Sequence, residues 1–204
     1  MGWFNDMKIG GKLILSFIIV AIVAGIMGMV GIVNIKSLDN ADAFLYERMT
    51  VPVAELSTLS TAFQRSRVNL RDAIISESSE DIESYLTKAQ ARQEEMIIAE
   101  ESFSKTIISK DMQNNFDEYL EAKKTYDVQL QIFYGLVREN KNDEANFLLG
   151  EEGELGIASR TMQTSLENMT AMKIEDAKEK AEANTKQANK TMIIMVIVLM
   201  FVVF

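Results

Sequence analysis

The chain of 204 residues contains neither cysteine nor histidine. The first absence removes disulfides, zinc–thiolate sites, iron–sulfur ligation and thiol nucleophiles. The second removes imidazole-based triads, histidine-ligated haem and histidine metal sites. No Walker loop, G-x-S-x-G, G-x-G-x-x-G or zinc-protease motif stands in their place. Asn140-Lys141-Asn142-Asp143-Glu144 faintly resembles the start of an EF-hand loop, but its sixth position is Ala145, where the loop needs glycine. The expectation is a non-enzyme with no cofactor and no metal. Proline occurs once, at Pro52, and glycine is absent from residue 32 to residue 134. Such long stretches without breakers favour helix. Basic residues are the scarcer charge, 21 against 30 acidic, for a net charge of −9. An acidic surface of this kind repels nucleic acid and anionic lipid, so no nucleic-acid partner is expected.

What is present is a layout. Leu13 to Val33 carries no charge and is long enough to cross a hydrocarbon core of ~30 Å as a helix. Met192 to Phe204 is purely apolar but shorter than the ~20 residues of a span, so the sequence reads as ending partway through a second transmembrane helix. Lys8 and Lys12, against Asp6, keep the N-terminus inside the cell. The expected organisation is a cytoplasmic N-terminus (1–12), transmembrane helix 1 (13–33), an extracytoplasmic domain (34–190) and the start of transmembrane helix 2 (191–204), multi-pass in the inner (plasma) membrane. A cleaved signal peptide fits less well. The apolar run exceeds a normal h-region, and Gly28-Met29-Val30-Gly31 makes a poor cleavage site. Trp3 and Phe4 suit the inner headgroup level. Gly25, Gly28 and Gly31 either permit close helix approach or reflect the ordinary abundance of glycine in such helices.

Between the apolar ends the periodicity is helical. Leu45, Met49, Pro52, Leu56, Leu59, Phe63, Ser66, Leu70 and Ile74 alternate steps of four and three, a heptad stripe. The helix is expected to run from the membrane to about Ile75, with a local kink at Pro52. Ser76–Glu80 reads as a break with Ser79 as N-cap. A second helix carries Ile82, Leu86, Ala89, Met96, Phe103 and Ile107, and ends at Ser109-Lys110-Asp111. A third carries Phe116, Tyr119, Lys123, Tyr126, Leu130, Phe133 and Val137. The loop 139–156 contains Gly150, Gly153 and Gly156, and a helical turn is expected inside it at 144–149. A fourth helix starts near Ile157, carries Met162, Leu166, Met169 and Met172, and becomes highly charged before the second apolar stretch. Short connections make neighbouring helices antiparallel. The fold class is therefore all-α: a membrane-anchored, antiparallel up-down-up-down four-helix bundle flanked by two transmembrane helices, the second truncated. The 13 methionines fit adaptable packing better than metal or redox chemistry.

With this order of elements the sequence resembles the N-terminal part of a bacterial methyl-accepting chemotaxis protein with a four-helix-bundle sensor domain. The resemblance is carried by Met7-Lys8-Ile9-Gly10-Gly11-Lys12-Leu13-Ile14-Leu15-Ser16-Phe17 at the opening. Gly28-Met29-Val30-Gly31-Ile32-Val33-Asn34-Ile35 is similar to the family's first-span exit. Lys141 to Leu149 is similar to the family's loop before the last helix. The resemblance implies a parallel homodimer that binds a small molecule, or a binding protein, outside the cell. It also implies a small shift of the fourth helix that reaches a cytoplasmic chemotaxis kinase and adaptor through a part beyond residue 204. The same input module is found on histidine kinases and nucleotide cyclases. A ligand-free, membrane-anchored structural bundle is the reading from a different class.

Arg65, Arg67 and Arg71 cluster on the outer third of the first helix, with Arg67 and Arg71 at i, i+4 on one face. Guanidinium forks suit carboxylates. Counting along the helices from their membrane ends puts Ser159, Arg160, Thr161 and Gln163 at the height of Arg67. Receptors of the aspartate-sensing type similarly use arginines late in helix one and polar residues early in helix four, although their arginine spacing is not reproduced here. Tyr134, with Tyr126 and Phe133, either walls a pocket or belongs to the core. The bland alternative for the arginines is a solvated face paired with Asp72 or Glu77.

Overall fold

A computed structural model describes the backbone of residues 7–203 and the side chains of residues 7–200. The expected interfacial anchors Trp3 and Phe4, and Asp6, lie outside the described residues. The regular elements are α1 (Ile9–Leu45), a π-helical segment (Tyr46–Thr50), α2 (Val51–Ile75), α3 (Ser79–Ser104), α4 (Lys110–Arg138), α5 (Asn142–Leu149) and α6 (Glu154–Val203). Among the described residues there is no strand. The chain divides into two compact units. One comprises α1 and the chain from Lys178 onward; the other is Tyr46–Ala177.

In the first unit α1 and the end of α6 run antiparallel. The Thr191 hydroxyl donates to Asn34 Oδ1 at 3.1 Å, and Gln187 Nε2 donates to Ser37 Oγ at 3.4 Å. The Lys180 ammonium sits 5.1 Å from the centroid of the Phe44 ring. The helical run beginning at Ile9 contains a stretch of mean hydropathy 2.8, none of it buried, which is long and apolar enough to cross a membrane by length and composition.

The second unit is a bundle of α2, α3, α4 and the first half of α6, with α5 packed at one end. Its core is the set of heptad stripes. Leu56, Leu59, Phe63 and Leu70 from α2 meet Leu86, Met96 and Phe103 from α3, Tyr119, Tyr126 and Phe133 from α4, and Met162, Leu166 and Met169 from α6. Edge-to-face pairs, Phe63–Tyr126 and Phe103–Phe116, each at 5.7 Å, lock neighbouring layers in the arrangement aromatic quadrupoles favour. Ser78, not Ser79, caps α3: its backbone is extended and its Oγ accepts from the Asp81 N–H at 3.1 Å, while Ser79 is already in the first turn. Ser109 caps α4 in the same way, accepting from Met112 N at 3.2 Å.

The first long helix is not uniform through Pro52. Proline lacks the N–H that would bond the carbonyl four residues back, and its ring crowds that oxygen. The chain accommodates this with the wider π-helical segment Tyr46–Thr50. The turn expected inside the loop 139–156 is a helix of eight residues, α5, and α6 begins three residues before Ile157.

A charged layer lies inside the bundle. Glu100 is 9% exposed, accepts from the Tyr119 hydroxyl at 2.5 Å and lies 3.9 Å from Lys123 Nζ, which also pairs with Asp127 at 2.9 Å. Burial raises the Glu100 pKa, against the opposing pull of Tyr119 and Lys123. The native state therefore holds this proton to higher pH than the unfolded chain. The stability it contributes is complete below the ordinary carboxylate pKa of 4.5 and is lost as pH rises through the raised value. Glu100→Gln keeps the acceptor for Tyr119 and cannot ionise. In thermal melts it is expected to match the parent chain below that pKa and to melt a few degrees higher at neutral pH. A melting difference independent of pH would refute this account.

Candidate functional site

Arg67 lies on the α2 face that meets α6. Its Nη1 donates to Gln64 Oε1 at 3.1 Å and to Gln163 Oε1 on α6 at 2.9 Å. Its guanidinium carbon is 5.6 Å from the centroid of the Phe63 ring, a cation–π placement. Gln163 is fixed in turn through its Nε2, which donates to Glu167 at 2.8 Å. Partial burial depresses the Arg67 pKa, and the positive charges of Arg71 and Arg160 add to that. Three guanidinium groups thus feel one another, although the chain as a whole is acidic.

No ion pair to Arg65, Arg67, Arg71 or Arg160 forms among the described residues. The Arg160 guanidinium donates instead to the backbone oxygen of Glu151. The contrast is Arg138, on α4, which grips Glu83 with a fork of 2.6 and 2.9 Å. The surface pairs with Asp72 or Glu77 that the bland reading requires are not formed. Arg71 is exposed and, with Ile75, Asn146, Leu149 and Gly150, lines an open cleft of about 340 Å³ where α2 ends beside α5.

Behind Arg67 the interior is polar. Gln93 Nε2 of α3 donates to Ser66 Oγ at 3.1 Å. The Tyr126 hydroxyl lies beside that pair without meeting hydrogen-bond geometry, and burial pushes its pKa up to about 12. The Tyr134 hydroxyl and Ser159 Oγ, both on residues 2% exposed, also lack a hydrogen-bond partner among the described residues. Burial raises the Tyr134 pKa, so this phenol is a neutral donor. Buried hydroxyls without partners are uncommon, and here they share the third of the bundle that holds Arg67.

The structure brings together Arg67 and Gln163, with Arg71 and Arg160 within electrostatic reach, and buries Ser159 and Tyr134. It separates two other candidates. Arg65 is exposed and hydrogen-bonds nothing among the described residues, because positions two apart do not share a helix face. Thr161 bonds the Ile157 carbonyl at 3.3 Å and lines a groove with Glu118 and Glu121 of α4, away from the arginines. Gln64, Gln93 and Asn146 also border the site, and no motif or stripe in the sequence singles them out. Ser66, a hydroxyl on an otherwise apolar stripe, was the one sequence sign that a polar layer crosses the bundle here.

No curated protein and no solved structure matched the chain. A family model described as a four-helix-bundle sensory module for signal transduction matches residues 6–188. The chain belongs to that family, the sensory four-helix bundles of methyl-accepting chemotaxis proteins.

Proposed function

We propose that this chain is the input part of a transmembrane chemoreceptor. Residues 34–190 lie outside the cell and bind a small carboxylate, directly, at Arg67 and Arg71. The apolar stretches 13–33 and 191–204 hold the domain in the membrane, two copies pair in parallel, and the output reaches a cytoplasmic chemotaxis kinase and its adaptor. The observation that carries the reading is the set of guanidinium groups without carboxylate partners, one of them bonded to α6 through a neutral amide. A ligand carboxylate outcompetes the Gln163 amide, because it brings a negative charge to the guanidinium and two oxygens that can accept from its fork, where the amide offers one neutral oxygen. Binding therefore changes the contact between α2 and α6, which gives the ligand the differential affinity for two arrangements that signalling requires.

The test is calorimetric titration of the full chain in lipid nanodiscs with mono- and dicarboxylates, amino acids and amines. Arg67→Ala is expected to weaken a carboxylate about tenfold to a hundredfold, the worth of one or two charged hydrogen bonds. Arg65→Ala is expected to leave binding unchanged. Heat from no carboxylate at all, on a folded chain, would remove the site. A module of the same kind feeding a histidine kinase or a nucleotide cyclase would use the site identically.

A further inference from the structure

At the end of the bundle opposite Arg71, α6 contributes a lysine to the interior. Lys173 is 1% exposed. Its ammonium donates to the Arg48 carbonyl and to the Thr106 carbonyl, each at 3.1 Å, and sits 5.9 Å from the centroid of the Phe103 ring. Burial depresses its pKa; Asp176 opposes that shift and Arg48 adds to it. The Arg48 oxygen is the one that an N–H at position 52 would occupy in a regular α-helix, and position 52 is the chain's single proline. The lysine thus bonds the carbonyl from which Pro52 withholds the α-helical N–H. Arg48 completes the arrangement: its Nη1 donates to the Lys105 carbonyl at 3.2 Å, next to Thr106 in the turn between α3 and α4. Two cations hold three carbonyls from the π-helical segment and that turn, and one of the cations belongs to α6.

We propose that Lys173, the Pro52 defect and the α3–α4 turn form a clasp that holds α6 in one register against the base of the bundle. A methionine would fill the same space without the desolvation cost of a buried ammonium. What the lysine adds is direction. Sliding α6 by the 1–2 Å typical of helix shifts stretches both 3.1 Å bonds, and toward the upper end of that range it carries the ammonium out of hydrogen-bond reach of the two carbonyls and strands a buried charge. The helix has a held state and a released state with little between them. The role of the clasp in signalling rests on the sensor reading above; the clasp itself does not, and its test uses no ligand.

The experiment is hydrogen–deuterium exchange on the full chain in nanodiscs, with Lys173→Met, Pro52→Ala and the double variant. Lys173→Met is expected to speed exchange about tenfold in residues 46–51 and 104–109 and to leave residues 80–95 unchanged. Pro52→Ala gives the Arg48 carbonyl a backbone partner, so Lys173→Met in that background is expected to change 46–51 much less. Register is read in parallel. The chain has no cysteine of its own, so Gln64→Cys can be paired with Gln163→Cys or, one turn further along α6, with Glu167→Cys. The parent is expected to cross-link 64 to 163 preferentially, and Lys173→Met to even the two rates. Unchanged or uniformly faster exchange, equal effects of Lys173→Met with and without Pro52, or an unaltered cross-linking preference would each overturn the clasp.

Discussion

Phe63→Ala is expected to cost the bundle about 3–5 kcal/mol, the range for emptying a fully buried aromatic site. It is also expected to weaken carboxylate binding, although Phe63 touches no ligand. The ring is completely buried on the α2 stripe. One side meets the Tyr126 ring edge-to-face, and the Arg67 guanidinium lies over it at 5.6 Å. Removing it opens a cavity at the centre of the core, releases Tyr126 toward Ser66 and Gln93, and takes away the surface on which Arg67 rests. In thermal melts of the full chain the midpoint is expected to fall by about 10 °C, given ~2–4 °C per kcal/mol at this size. Phe63→Leu, which keeps most of the volume, should recover most of the stability and little of the affinity, since an aliphatic side chain offers no π face. Loss of stability below about 1 kcal/mol for the alanine variant would mean that the site collapses freely, and the link between core and arginine would fail with it.

The residue that ties core to site was legible in the sequence for one half of its role. Phe63 fell on a heptad stripe, and stripes of that period determine what is buried in a helical bundle, whatever the loops do. For the same reason Leu56, Leu70, Leu86, Tyr119, Leu130 and Met162 were all expected inside and are all buried. Height along the helices was legible too, because rise per residue is fixed: counting placed Gln163 opposite Arg67, and the two are bonded. Azimuth was not. Thr161 is at the right height but on the wrong side, and only the packed neighbours decide that. Local choices between equivalent residues were equally hidden. Ser78 and Ser79 are the same side chain, and which one caps α3 depends on where the chain leaves the extended region. Pro52 announced a defect but not its remedy, since nothing near it in sequence indicates a lysine 121 positions later in the chain.

The glycines at the junction of α5 and α6 test how closely the site depends on its loop. Gly156→Ala is expected to destabilise the chain by about 3 kcal/mol, at the upper end for overpacking. A Cβ there would run into the carbonyl of Gly150 and press on the Leu149 oxygen. Both are backbone atoms held between the end of α5 and the start of α6, so they cannot swing aside as a side chain would. The displaced residue matters for function: Gly150 and Leu149 line the cleft that also contains Arg71, so carboxylate affinity should fall together with the melting temperature. Gly135→Ala supplies the opposite sign. That glycine is in the interior of α4, is exposed, and has nothing within 4 Å of its would-be Cβ. The substitution should therefore stabilise by about 0.5–1 kcal/mol through helix propensity alone and leave binding untouched. If Gly156→Ala proves as harmless as Gly135→Ala, the contact between α5 and α6 is loose, and the wall that Leu149 and Gly150 form beside Arg71 is not fixed by it.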